Sequence, residues 1–465
     1  MKVIKTSTSA LVCIGLAGLS LPAQASQSQD IEKLSEQIRQ LQENVRQLQA
    51  KQDEDQTRQK AAAAAAALPA NVPKGYWGIP GTNTSIRVGG ALLLEGMFDT
   101  GQKGPEGTIA NGVTVNSPNA ASNSPYRKGY SRFSAKYTQL ELATRTDFKD
   151  GPSLDTFVSM DFAGTTSSNP LGYSTTNAYI PRLREAYFKY GNWQVGQTAP
   201  LFGDPGSITE PLDAGLHHAG MNLNRMPLVR YNWNIDKQNY LGVELVGPSS
   251  SYTNYNNVQE SDYDSGTAGA RALSSVPDLG VAYRYEDDWG HVMLHGMMRE
   301  IRADDGAQTS TSVLGWGTGL TGHFNIPGKT DLLGGGNRIN YGINYGSAIG
   351  NYITDQGYQG AVMDSRNELH AIRALGFYGG YTHVWSENWR TSARYSRSQA
   401  EDSSLLTPAA AAAWNTRLDL AAANVVYQVN PKLKVGLEYE WQYRRVQDES
   451  DGHSNRWVAF TKVNF

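Results

Sequence analysis

Cysteine is all but missing: there is one in 465 residues, Cys13. Past the first 25 residues no stretch holds the roughly 20 consecutive apolar residues that a spanning helix needs, which excludes a helical membrane protein. Continuous Val/Ile/Leu runs, the mark of strands buried between helices, are missing too, so an α/β enzyme fits poorly. Hydrophobic residues make up 39%, below the about 45–50% usual for globular chains. Neither sign of charge dominates. The 41 basic residues face 44 acidic ones, a balance that predicts no nucleic-acid partner. Glycine reaches 48, tyrosine 25 against 11 phenylalanines, and tryptophan 10. That composition suits many half-buried strands.

Residues 1–25 read as a secretory signal. Lys2 and Lys5 give the positive start, residues 10–21 the apolar stretch, and Ala23-Gln24-Ala25 the small-x-small cleavage site. The stretch is too short for an anchor and runs into Pro22. Cys13 lies inside it and not at the cleavage site, which weakens a lipid-anchored reading. The exported remainder, without cysteine, is held together by means other than disulfides. At the far end Trp457, Ala459, Thr461, Val463 and Phe465 share one strand face, and Arg456, Lys462 and Asn464 the other. A terminal Phe on such a strand resembles the signal read by the machinery that assembles outer-membrane barrels, with Trp457 and Phe465 as its aromatic positions.

From Ile31 the period is that of a coiled coil. Ile31, Ile38 and Val45 take a positions and Leu34, Leu41 and Leu48 take d, with Glu, Gln, Lys and Arg between them. Three heptads are marginal alone and need partner helices to bury the seam. β-Branched a with Leu d favours two strands in parallel peptides, so the repeat does not itself demand a trimer. A single amphipathic helix lying on its own protein is the other reading. Residues 61–67, all Ala, extend the helix or form a spacer, and Pro69 and Pro73 end it. Residues 26–75 are therefore expected to be a periplasmic oligomerisation stalk.

Over 76–465 the period becomes two. In 432–444, Leu433, Val435, Leu437, Tyr439, Trp441 and Tyr443 lie on one face, with Lys434, Glu438, Glu440, Gln442 and Arg444 on the other. Such segments number sixteen: 84–99, 131–148, 154–163, 182–190, 192–199, 227–235, 239–246, 278–286, 289–300, 312–325, 331–348, 371–385, 389–397, 417–429, 432–445 and 454–465. Connections alternate short (191, 236–238, 287–288, 430–431) and long (100–130, 200–226, 247–277, 349–370, 398–416). Tyr190, Trp193, Trp233, Trp289, Trp385 and Trp389 border the short ones. These features predict an all-β fold: a 16-stranded antiparallel transmembrane β-barrel in the bacterial outer membrane, behind an N-terminal α-helical coiled-coil stalk.

The stretch Trp77-Gly-Ile-Pro-Gly81-Thr-Asn-Thr-Ser85-Ile-Arg87-Val-Gly-Gly90 behind a coiled coil resembles the DcaP-like family of outer-membrane porins. So do Pro181-Arg-Leu-Arg184-Glu-Ala-Tyr-Phe, Gly196-Gln197 and Arg230-Tyr231. The likeness runs from the stalk to Phe465. It implies a homotrimer of sixteen-stranded pores that takes up small anionic solutes such as dicarboxylates. One position departs. Leu93 stands where the pattern places a basic residue shortly after Gly90, which bears on substrate preference and not on fold.

In sixteen-stranded porins the third long loop folds inward. Here it is 200–226, carrying Asp204, Glu210, Asp213, His217, His218 and Arg225. Rings of Arg or Lys are the usual device of anion pores, and a narrow bore focuses their field. Strand parity turns Arg230 inward, because Val229, Tyr231 and Trp233 take the lipid face. Arg299, Arg338 and Arg394 fall on lumenal faces too. Arg182 and Arg184 share a face whose direction parity leaves open. Arg182, Arg184, Arg225 and Arg230 converge beside the third loop and form the expected selective constriction. The alternative for each is pairing with an acid such as Glu185 or Glu244, which would merely solvate the lumen.

Other motifs fall away. His291 and His295 are about 13 Å apart on a strand, too far to share a metal ion. His217-His218 reads as a pH-sensitive loop element. Asp262-Tyr-Asp264-Ser-Gly266 opens like a calcium loop, but its twelfth position is Leu273 and not Glu. Alternate glycines in 315–322 face the lumen, where small residues would widen the bore. No Ser/His/acid set stands out, and neither cofactor nor metal is expected. The expected function is passive diffusion of small hydrophilic anions through an Arg-lined constriction. A phosphate- or pyrophosphate-selective porin would require a wall of lumenal Lys, which is sparse. An outer-membrane barrel hydrolase and a structural tether touching the cell wall are the remaining alternatives.

Overall fold

The computed structural model describes residues 26–66, 68–69, 71–100, 113, 115, 129–164, 179–215, 218–256, 258–261, 271–353 and 360–465. The expected signal at 1–25, His217 and the segment 262–266 lie outside them. Period-two alternation yields sixteen barrel strands. They are β1 (Thr84–Asp99), β2 (Tyr130–Ser134 and Gln139–Thr146), β3 (Leu154–Gly164), β4 (Ile180–Tyr190), β5 (Trp193–Thr198), β6 (Met226–Asn234), β7 (Asn239–Val246) and β8 (Asp278–Asp287). There follow β9 (Gly290–Asp304), β10 (Ser310–Ile326), β11 (Asn337–Ser347), β12 (Arg373–Val384), β13 (Trp389–Ala400), β14 (Asn415–Gln428), β15 (Leu433–Val446) and β16 (Asp451–Asn464).

Each strand pairs antiparallel with its chain neighbour, and β1 closes on β16 from Ala91↔Asn464 to Asp99↔Arg456. Closure removes the edges, the condition for a sheet to cross hydrocarbon. Tyr190, Trp193, Trp233, Trp289, Trp385 and Trp389 are all exposed on the outer surface beside the short turns, as an interfacial girdle requires. At the closing seam the Phe465 amide donates to the Gly90 carbonyl at 3.2 Å. Gly90 has φ +151°, and a Cβ there would lie 2.2 Å from the Gln139 carbonyl oxygen, so only glycine fits.

Two details depart from the expected spans. Strand β11 begins at Asn337 and not near 331, because the Asp331 carboxylate accepts from the amides of Leu333 and Gly335 and closes a turn with Gly334 at positive φ. At the long-loop rim, the connections after β9 and β15 are also short, at 305–309 and 447–450. The long loops at the same rim supply a second, four-stranded sheet of Ser251–Asn254, Gln259–Ser261, Ala361–Met363 and Leu369–Ala371. The N-terminal unit is described by itself. It is one helix, α1 (Ser26–Ala66), that runs through the Ala tract, and its seam residues Ile31, Leu34, Ile38, Leu41, Val45 and Leu48 are all exposed.

Candidate functional site

The described residues of the β5–β6 connection, 199–215 and 218–225, turn into the barrel and are pinned to its walls at successive points. The Leu201 amide donates to Glu244 at 2.5 Å. Asp204 caps the short helical turn Pro205–Ser207, pairs with His291 at 2.6 Å and accepts from Thr321 at 3.1 Å. Ser207 meets the Tyr378 hydroxyl at 2.6 Å. Glu210 accepts from Arg390 at 2.9 and 3.0 Å and from Lys434. Asp213 accepts from Arg456 at 3.0 Å, and the amides of Leu212 and Ala214 donate to Glu438 and Glu95. The loop's far end lies backbone on backbone. A Cβ on Gly220 (φ +79°) would be 2.6 Å from the Cα of Gly376, so two glycines permit the contact. These anchors set the charge state of the loop acids. Burial pushes the Glu210 carboxyl up, yet Lys434 and Arg390 outweigh it and hold it down to about 2. Burial likewise opposes ionisation of Asp204, and His291 keeps its carboxyl below the ordinary range.

The pinned loop covers the inner faces of β9 to β16, whose lumenal residues are mostly buried, and leaves those of β2 to β4 part-exposed. Water-facing charge therefore gathers on the β2–β4 wall. A β-bulge there sets the direction that parity left open: Ser159 opposes Glu185 while Met160 opposes Leu183, so Arg184 is the extra residue. A bulge re-aims a side chain, and Arg182 and Arg184 both reach Asp161, each with a guanidinium nitrogen 2.7 Å from Oδ2. Asp161 is 0% exposed, whereas Arg182 is 46% exposed and Arg184 19%. The carboxylate is hidden beneath its two cations. Arg225, at the loop's end, has Nε 3.8 Å from Glu185 Oε1. Burial, and after it the Arg184 charge, push the Arg225 guanidinium down to about 10 against the pull of Glu185. Among the described residues, three guanidiniums thus share two carboxylates. Lys462 and Arg338, inward on β16 and β11, make no ion pair among the described residues.

The other residues expected at the constriction divide. Arg230 points inward as parity required, but it pairs with Glu244 at 2.7 Å and donates to the Ala199 carbonyl at 2.6 Å, so it holds the start of the loop. Arg299 and Arg394 do not reach pore water. Arg299 is buried against Tyr352, 3.5 Å from Asp278 and donating to the Ser249 carbonyl at 2.6 Å; it clamps the inward-folded segment after β11. Arg394 is buried between Glu438 and Glu440 behind the loop. Their strand faces are lumenal, and loops cover them. The glycines of β10 do not widen the bore either: a Cβ on Gly315, Gly317 or Gly319 would run into Ala348, Phe202 or His295. Those positions are docking floor for inward segments. His291 and His295 engage separate partners, Asp204 and Asn344. Sequence reasoning missed Asp161, whose inward parity on β3 was readable, and the Arg390–Glu210–Lys434 pin, which joins residues over 200 apart in sequence.

Toward the short-turn rim a cavity of about 480 Å³ opens, lined among others by Tyr187, Lys189, Arg230, Asn234, Tyr240 and Arg284. In an outer loop, Asp364, Glu368 and His370 bring donor atoms within 4.8 Å of one another. The Asp364 carboxylate there already accepts the amides of Arg366 and Glu368, which organise the turn.

The DcaP outer membrane protein family matches residues 18–465. The crystal structure of the outer membrane channel DcaP of Acinetobacter baumannii superimposes with a TM-score of 0.65 at 19% identity, covering 82% of this chain and 97% of that one. An anion-selective porin from Comamonas acidovorans aligns at TM-score 0.49 and 9% identity, over 82% of this chain and 100% of that one. OmpT of Vibrio cholerae aligns at 0.45 and 10%, over 82% and 98%. No curated protein matches the sequence.

Proposed function

This chain belongs to the DcaP outer membrane protein family, channels of the bacterial outer membrane, and from that premise we propose that it passes small hydrophilic anions of the dicarboxylate kind by passive diffusion. The supporting observation is the grouping of Arg182, Arg184 and Arg225 on a part of the wall that the loop leaves open to water. A guanidinium offers a planar fork to a carboxylate. A solute carboxylate displaces water from these forks, is held by charge already in place, and leaves again without any bond being made or broken. Asp161 keeps Arg182 and Arg184 side by side while its own charge stays covered. Arg225 is the least compensated of the three, and Lys462 and Arg338 extend the positive field along the lumen. Three copies assemble, the seam Ile31 to Leu48 burying itself against its neighbours on the periplasmic side.

The test is the reversal potential in a planar bilayer under a potassium chloride gradient. The wild-type channel is expected to prefer chloride, and Arg184→Ala with Arg225→Ala to bring the potential toward zero. A potassium-selective wild type would overturn the anion assignment and leave the channel standing.

A further inference from the structure

The outer wall carries charge where lipid would lie. On the outward faces of β13 to β15, Arg397 stands opposite Asp419, and Arg417 directly opposite Arg445. Two like charges opposed on one sheet face repel. Asp419, 0% exposed, holds two guanidiniums at once, Arg397 at 2.6 Å and Arg417 at 2.6 Å. Among the described residues Arg445 forms an ion pair with the exposed Glu449, while Asp451, opposite it in register, accepts from the Tyr443 hydroxyl at 3.0 Å. Arg417 lies over the Tyr443 ring at 5.2 Å, and Arg397 over Phe377 and Tyr395 at 5.8 and 5.9 Å. These contacts fix the cations and leave about a third of Arg417 and Arg445 open.

Height and shape both fit a lipid. Arg397 is eight residues from Trp389 of the short-turn girdle, about 26 Å along the strand and roughly 20 Å along the membrane normal at the usual tilt. The patch therefore sits at the outer-leaflet edge of the apolar band, where a cation is matched by lipid phosphate. Below it, toward the membrane centre, β14 presents two methyls, Ala421 and Ala423. Tyr395 stands across from Ala421 on one side, and Trp441 and Tyr439 flank the pair on the other. On the Tyr395 side Ala393 stands across from Ala423, so the trough has aromatic walls at Tyr395, Trp441 and Tyr439 and widens over Ala393, room for one acyl chain.

We propose that Arg397, Arg417 and Arg445 seat the phosphate of an anionic lipid of the outer leaflet, with one acyl chain in the Ala421–Ala423 trough. Among the described residues the three cations form ion pairs with two acids, Asp419 and Glu449, while Asp451 is engaged by the Tyr443 hydroxyl, and the covered Asp419 holds two of the forks in place.

The test is native mass spectrometry of the full-length protein in detergent, titrated with diphosphorylated lipid A and, separately, with phosphatidylcholine. Lipid A is expected to bind in preference. Arg417→Gln with Arg445→Gln keeps the Arg397–Asp419 pair and is expected to weaken lipid A binding about tenfold or more. Ala423→Trp fills the trough without touching a charge and is expected to weaken it as well. Equal binding of the two lipids, or wild-type lipid A binding by both variants, would overturn the proposal. So would variants that bind lipid A normally but lose oligomer mass, since the face would then join copies of the chain.

Discussion

Replacing Glu210 by Gln asks how much of the inward loop's position depends on charge. The Glu210 carboxylate accepts two bonds from Arg390 and one from Lys434, and it stands at about 2 against an ordinary 4.5. That displacement corresponds to about 3 kcal/mol of preference for the ionised, paired form, an upper value because about a quarter of the side chain is exposed. In the variant Arg390 keeps Asp331, 3.5 Å away, as its nearby acid. A net loss of about 2–3 kcal/mol follows, raising the population with the middle of the loop unpinned by about 30- to 150-fold. The flanking anchors at Asp204 and Asp213 remain, so the change is local: higher single-channel conductance and more open-channel noise at pH 7. The pH dependence has a definite sign. A carboxyl lowered in the folded state contributes stability above about pH 4.5 and loses it as pH falls toward 2. Wild type should therefore be quiet at pH 7 and become noisy only below about pH 3, whereas Glu210→Gln should be noisy at both. A variant with wild-type conductance and noise at pH 7 would refute electrostatic pinning.

Gly220→Ala places a Cβ 2.3 Å from the Arg397 carbonyl oxygen at φ +79°, a strain of about 1–2 kcal/mol before the clash is counted; it is expected to lift the loop end and lower the melting temperature. Arg394→Ala strands Glu438 and Glu440 in the interior and should cost about 3–5 kcal/mol by thermal unfolding, while the reversal potential of folded channels stays at the wild-type value because Arg394 does not meet pore water. Leu34→Glu with Leu41→Glu puts charge into the seam of α1 and is expected to abolish cross-linking through the stalk, with the barrel's heat-modifiable gel mobility unchanged.

The barrel was legible because period two is a local property. β15 reads as a strand from its own fourteen residues, and the girdle reads from Trp and Tyr beside short turns. The site was legible only as far as parity reaches. Arg299 and Arg338 carry the same lumenal signal on neighbouring parts of the wall, yet one is buried under an inward segment and the other is part-exposed. Which lumenal face a loop covers depends on contacts such as Glu210–Lys434 and Gly220–Gly376, far apart in sequence. The bulge at Arg184 was unreadable for a related reason: two-versus-one counting is a property of the β3–β4 pair and of neither strand alone.

The anchoring of the loop and the placement of its charges follow from one arrangement. Residues 199–225 carry three acids, Asp204, Glu210 and Asp213, and one arginine, Arg225. Every acid is directed at the wall, where His291, Arg390 with Lys434, and Arg456 receive them. Had the loop turned its other face to the wall, three carboxylates would line the bore and focus a negative field there. With the observed face inward, the contacts that hold the loop also withdraw its negative charge from the water path. Arg225 is left on the open side, beside the Arg182–Arg184 pair that already covers Asp161. Loosening any one of these anchors should therefore change bore width and ionic preference together, because the same side chains determine both.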